Sequence, residues 1–133
     1  MNRPRVGVGA LIIENNKILL VYRKKEPEAN HWSIPGGKVD FLETIEAAII
    51  REVYEETNLE IELESLICVT NHIFENEGIH YVAPTFKAKV KEGKIKKGID
   101  PAILDIAWFP IDDLPNPLTL TTLNALNAIK KER

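Results

Sequence analysis

Glu52, Glu55 and Glu56 are the residues whose types and spacing most directly suggest chemistry. A helix turns about 100° per residue, so with Glu52 at zero Glu56 lies at about +40° and Glu55 at about −60°. Three carboxylates within one such arc repel one another. A hard divalent cation relieves that repulsion. Mg²⁺ takes oxygen ligands, keeps some of its waters and is commonly shared with substrate phosphates. Arg51 lies four residues before Glu55 and can hold that carboxylate in place. The Gly36-Gly37 pair lets backbone approach a ligand or ion where a side chain would block it. Ala48 falls on the same arc, small enough to leave space above it, while Ile49 and Val53 fall on the side that can face a core. A Glu-rich helix is more often a solvated face, and the triplet alone leaves that reading open.

The elements that must position these groups can be read from patterning. Residues 6–13 form a continuous apolar run, consistent with a buried strand. Asn15-Asn16 signals a turn, and residues 17–23 return as the second arm of a hairpin. Residues 24–31 read as a charged loop, and residues 32–38 as a segment punctuated by Pro35, Gly36 and Gly37. The spacing predicts a helix over residues 44–57, with Thr44 as N-cap and Asn58 as the left-handed residue that ends it. Residues 61–74 hold one or two strands. Residues 79–91 form another, with Pro84 marking an edge or a bulge. Residues 106–109 are a short strand. A terminal helix follows over residues 119–131, with Leu120, Leu123, Leu126 and Ile129 on one face.

The composition bounds the rest. A chain of 133 residues, 44% hydrophobic and 28% charged, suits one ordinary domain over residues 1–133 and excludes global disorder. Residues 40–64 carry nine acids and one base, against a net charge of −3 for the whole chain. That balance argues against a nucleic-acid polymer as partner. The single Cys68 fits a reducing compartment, and no apolar run approaches a membrane span, so a cytoplasmic protein with no membrane partner is expected. The first residues imitate a signal peptide only weakly, since Glu14 ends the apolar run.

A wider pattern decides how to read the acidic helix. Gly37, Glu43, Arg51, Glu52, Glu55 and Glu56 fit G-x5-E-x7-R-E-x2-E-E. Six such matches arise by chance roughly once in twenty million starts at ordinary residue frequencies. The segment over residues 37–59 resembles the Nudix box of the Nudix hydrolases. Val53 and Leu59 fit its apolar positions, and Asn58 stands where the family usually has Gly. W-S-I-P-G-G-K before the box and A-W-F-P-I-D-D-L near Trp108 also look like the family. The resemblance implies an α/β/α sandwich around a central mixed sheet, with the box as loop–helix–loop. It implies hydrolysis of a nucleoside diphosphate linked to another group. Glu52, Glu55 and Glu56 are then expected to ligate Mg²⁺ or Mn²⁺, with the Gly36 carbonyl contributing and Arg51 and Glu43 orienting the cluster. Glu52 is preferred over Glu55 as general base.

Substrate contacts are expected from Gly37, Lys38, Trp32, His80 and Asp100, with Asp105 as an alternative acid. Trp32 can anchor a core or stack on a base; His80 can be a satisfied strand histidine or touch phosphate. Asp100 occupies a loop where family members often place an acid that reaches the metal or the base. His72, Asn71, Phe74, Tyr81 and Asn116 are weaker candidates. Residues 87–97 carry six lysines and one acid, either a solvated hairpin or an attractor of anionic substrate. Residues 74–77 lack the Pro of ADP-ribose hydrolases and the Tyr of diadenosine polyphosphate hydrolases. The H-Y-V segment and short chain look more like the MutT-like nucleoside triphosphate pyrophosphohydrolases. ADP-ribose or nucleotide-sugar cleavage is the alternative, a non-catalytic ligand sensor or a metal-independent acidic module a remote one. A homodimer is the default expectation from relatives.

Overall fold

The computed structural model describes residues 3–131. Strand β1 (Arg5–Glu14) and β2 (Lys17–Arg23) form the expected hairpin. Asn15 and Asn16 both take positive φ, 52° and 63°, the pattern of a two-residue turn whose twist matches the strands it joins. β3 (Trp32–Ser33) and β4 (Gly36–Lys38) are followed by α1 (Ile45–Thr57), β5 (Glu60–Phe74), a single 3₁₀ turn (Glu75–Glu77), β6 (Ile79–Glu92), β7 (Ile103–Pro110) and α2 (Leu120–Lys131). Hydrogen bonding joins the strands along the path β3-β2-β1-β6-β5, with β4 on β1 and β7 on β2. The β1–β6 ladder is parallel and the others antiparallel, so the sheet is mixed.

The unbroken apolar run of β1 is explained by burial on both sides. Val8, Ala10 and Ile12 enter one core cluster with Leu19, Val21 and, from α1, Ala48, Ile49 and Val53. Leu11 enters the opposite cluster with Ile18, Leu20 and, from α2, Ala125, Leu126 and Ile129. A helix on each face of a mixed sheet is the α/β/α sandwich.

Several expectations are corrected. The punctuated segment over residues 32–38, given no element from sequence, holds two short strands: Trp32 and Ser33 pair with β2, whereas Gly36, Gly37 and Lys38 pair with β1. Of the one or two strands expected over residues 61–74, the structure has one, whose register against β6 shifts at three points. Pro84 is not at an edge, because β6 lies between β1 and β5. It falls within a gap of the β1–β6 ladder, where pairing passes from Val6↔Val82 to Gly9↔Thr85. A missing N–H is tolerated there. Ala48 is wholly buried in the core rather than leaving space above the carboxylates. On α2 the buried face is Thr122, Ala125, Leu126 and Ile129, with Leu123 exposed. A strict three-residue spacing drifts about 60° per step around a helix and cannot stay on one face.

Candidate active site

The site is built where β4 runs between β1 and α1. Thr44 caps the helix, its Oγ1 accepting the Ala47 N–H at 3.1 Å. At the far end Asn58 takes φ 72°, and its N–H donates to the Tyr54 carbonyl. The loop after β6 secures this terminus: Lys96 N–H donates to the Thr57 carbonyl at 3.0 Å and Asn58 Nδ2 to the Lys94 carbonyl at 3.1 Å. Both ends of α1 are therefore fixed, and with them the angular positions of Glu52, Glu55 and Glu56.

Arg51 is the hub. Its Nε donates to Glu43 Oε2 at 2.7 Å and its Nη2 to Glu43 Oε1 at 2.9 Å, a two-pronged pairing. Nη1 serves Glu52 Oε1 and Glu55 Oε1, each at 2.8 Å. Nη2 also reaches the Lys38 carbonyl at 3.0 Å. A guanidinium has five N–H donors, and this accounts for all of them. Glu43 is pulled down to about 2 by the Arg51 hydrogen bonds and then by the Asp40 N–H. Arg51 is held still more firmly protonated, first by Glu43 and then by Glu55. Burial pushes Glu52 up, opposed by Arg51 and reinforced by the charges of Glu55 and Asp100.

Glu56 behaves differently. Its side chain is buried, and its Oε1 accepts the Gly36 N–H at 2.9 Å. Burial pushes it up to about 8, against that single hydrogen bond, with the charges of Glu52 and Asp100 adding to the effect. The glycine pair has separate reasons at each position. A Cβ on Gly36 would collide with the Val8 carbonyl and the Gly9 backbone, so strand pairing itself requires glycine. A Cβ on Gly37 would occupy the space of the Glu52 carboxylate.

Among the described residues no three His, Cys, Asp or Glu side chains form a ready-made metal cage. Glu52 and Glu55 are directed at Arg51, and Glu56 at Gly36. The donor chemistry nonetheless fits a hard divalent cation: carboxylate oxygens on one helix arc, one buried with a lone N–H partner and pushed up by lack of solvation.

The other expected residues divide. Asp100 is brought close enough for its charge to act on Glu52 and Glu56, held in a turn in which its Oδ1 accepts the Ala102 N–H at 2.9 Å. Asp105 is not part of the cluster in this sense; it pairs with Lys97 at 2.8 Å. Lys38 is exposed, and its carbonyl serves Arg51. Trp32 packs against Tyr22 and Phe109, with ring centroids 5.0 and 4.9 Å apart, so it anchors an aromatic cluster. His80 is half-buried on β6 opposite Ile73. Lys89 pairs with Glu62 at 3.5 Å, which, with the Lys97 pair, partly neutralises the lysine-rich stretch.

Two residues had no sequence signal. Arg23 ends β2, and its charge acts on both Glu56 and His72. Glu28 accepts the Leu120 N–H at 2.8 Å at the start of α2, and its other oxygen lies 3.5 Å from His72 Nε2. His72 is driven toward its neutral form mainly by burial. Arg23 Nε and His72 Nε2 are buried without a hydrogen-bond partner among the described residues. A run of mixed charge and turn residues gives no hint of these long-range meetings.

A three-layer sandwich whose acidic helix is locked by one arginine to a Gly-Gly strand is the arrangement that the resemblance of residues 37–59 implied. The sequence profile of the NUDIX domain matches residues 3–128, and the chain belongs to the Nudix hydrolase family. The fold superimposes on the crystal structure of a MutT NUDIX hydrolase from Burkholderia pseudomallei with a TM-score of 0.91 and 44% identity, covering 96% of this chain and 98% of that one. The chain is 35% identical over 112 residues to an ADP-ribose pyrophosphatase of Methanocaldococcus jannaschii, covering 84% of this chain and 65% of the relative. It is 34% identical over 115 residues to an 8-oxo-dGDP phosphatase of Homo sapiens, covering 85% of this chain and 34% of that protein. The chain thus spans less than two thirds of the length of either relative. Among the described residues no helix is long and apolar enough to cross a membrane.

Proposed function

We propose that the protein hydrolyses nucleoside diphosphate-linked compounds with the help of a divalent cation, Mg²⁺ in the first instance and Mn²⁺ as a substitute. Within that class we favour (deoxy)nucleoside triphosphates, cleaved to a nucleoside monophosphate and pyrophosphate. The observation that carries the reading is the Arg51 hub, which holds Glu43, Glu52 and Glu55 within one hydrogen-bonded unit beside buried Glu56. Glu52, Glu55 and Glu56 would hold the cation, with Gly36 at the rim. Bound there, it supplies positive charge that neutralises a diphosphate and acidifies water.

The protein's own groups supply positioning and proton transfer. Glu52 is our choice of general base. A carboxylate raised by burial takes a proton at neutral pH more readily than one in water, and Arg51 holds its other flank. Glu55 is the alternative. Asp100 adds negative charge facing both Glu52 and Glu56, which favours cation binding and a basic Glu52. Arg23, with a buried unpartnered N–H close enough to influence Glu56, is suited to an anionic part of the substrate. Gly37 admits the Glu52 carboxylate; His80, Lys38 and Trp32 remain proposed substrate contacts.

The test is turnover of a panel of nucleoside triphosphates, nucleotide sugars and dinucleotides with Mg²⁺, read by phosphate or pyrophosphate release. Preferential release of pyrophosphate from triphosphates supports the reading. The relative named an ADP-ribose pyrophosphatase favours ADP-ribose or another nucleotide sugar as a second reading. Preference for those compounds would replace our substrate assignment, and failure on every compound would overturn the enzymatic reading itself.

A further inference from the structure

The structure divides the lysines of residues 87–97 into committed and free. Lys89 pairs with Glu62, and Lys97 pairs with Asp105. Lys94 and Lys96 are exposed and form no ion pair among the described residues. Their backbone is nevertheless fixed against α1. Ile95, between them, packs on the core cluster that holds Ile49 and Val53. The Lys94 carbonyl accepts from Asn58 Nδ2 at 3.1 Å, and the Lys96 N–H donates to the Thr57 carbonyl at 3.0 Å. Thr57 directly follows Glu56. Further along, the same segment delivers Asp100, whose charge acts on Glu52 and Glu56. The segment therefore runs from the end of α1 to the carboxylates, with unpaired positive charge along it.

We propose that Lys94 and Lys96 form an electrostatic guide for the phosphate chain of the substrate, standing beside the carboxylates rather than among them; the proposal rests on the hydrolase reading above. The site lies within residues 40–64, where nine acids and one base set a field that repels a phosphate chain. Two free ammonium groups next to the end of α1 oppose that field on one side of the site. Exposed charges act over about 10 Å at 0.1 M salt and about 30 Å at 0.01 M, so neither lysine has to touch the substrate. Attraction of this kind raises the local concentration of anions and their rate of arrival, and it leaves the reacting atoms alone. The ammonium groups do not hold the loop in place. On the lysine side both anchoring hydrogen bonds use main-chain atoms, which survive any change of side chain.

The test is the double variant Lys94→Gln, Lys96→Gln of the full chain, assayed in Mg²⁺ on the phosphate compound that the wild type turns over best. At about 0.01 M ionic strength kcat/KM should fall about 10-fold, through KM alone, with the thermal midpoint unchanged. At about 0.5 M the gap to wild type should close to less than about twofold. Lys130→Gln with Lys131→Gln removes the same charge from α2, which packs on the opposite core cluster, and should stay within about twofold of wild type at both salt levels. If the wild type turns over no compound, the hydrolase reading fails and the guide is read by calorimetric titration of inorganic tripolyphosphate in Mg²⁺. The Lys94, Lys96 variant should then bind about 10-fold more weakly at low salt, with the α2 control unchanged. Kinetics or binding equal to wild type at low salt overturn the proposal. So does a loss that persists at high salt, a fall in kcat, or an equal loss in the α2 control.

Discussion

Arg51 sets the behaviour of the site at the scale of single residues. All five of its N–H groups are committed, two of them to Glu43. Lysine offers three donors on a point charge and cannot reproduce the fork. We therefore expect Arg51→Lys to lower kcat about 100-fold, the scale of a misplaced catalytic group, with the fold retained by circular dichroism. Glu52→Gln and Glu55→Gln should each lower kcat by about 100- to 10,000-fold, the range for loss of a general base, with little change in thermal midpoint. Near-wild-type turnover in both would sink the assignment of the acidic helix. Arg23→Ala should act mainly on KM, because the proposed role of Arg23 is to bind substrate; a fall confined to kcat would contradict that role. The Glu43–Arg51 pair is half legible in sequence: the box spacing names both residues, but the shared fork and the Lys38 carbonyl require the folded turn after β4.

At the scale of elements, the sequence pattern locates nearly every strand and helix, and its failures have local causes. The two ends of α1 are readable because Thr44 and Asn58 are residues whose chemistry suits a cap. β3 and β4 are not readable, because strands of two and three residues carry no periodicity and their pairing with β2 and β1 is entirely non-local. The α2 face is misread because four apolar residues at a spacing of three look like a stripe without being one. Asn58 gives a quantitative check on the one departure from the box. Asn58→Ala forces an ordinary side chain into φ 72° and removes the Lys94 hydrogen bond, so unfolding free energy should fall by about 1–2 kcal/mol. Asn58→Gly loses the hydrogen bond but relaxes the backbone, and chemical denaturation should find it within about 0.5 kcal/mol of wild type. Equal losses in the two variants would show that the side-chain bond, not the left-handed backbone, holds the helix end.

At the scale of the whole molecule, the acidic excess of residues 40–64 becomes a source of pH-dependent stability with two limbs of opposite sign. Glu43 is pulled down to about 2 from an ordinary value of 4.5, so its contribution is present above 4.5 and is lost as pH falls toward 2. Glu56 is pushed up to about 8, so without a cation the folded state holds a proton that the unfolded chain releases near 4.5. Its contribution is therefore full below 4.5 and is lost as pH rises through 8. The metal-free protein should show a thermal midpoint that declines from mildly acidic to mildly alkaline pH. A divalent cation that binds the ionised carboxylates must displace that proton, so saturating Mg²⁺ should raise the midpoint most at the alkaline end and flatten the decline. Glu56→Gln carries no titratable proton and should flatten the decline without any metal. Differential scanning fluorimetry of both proteins across pH, in chelator and in Mg²⁺, separates these effects. An equally steep decline in Glu56→Gln would place the titrating group elsewhere. A Mg²⁺ shift that is the same at every pH would mean that the cation binds without displacing the Glu56 proton, and Glu56 would then have to be removed from the ligand set.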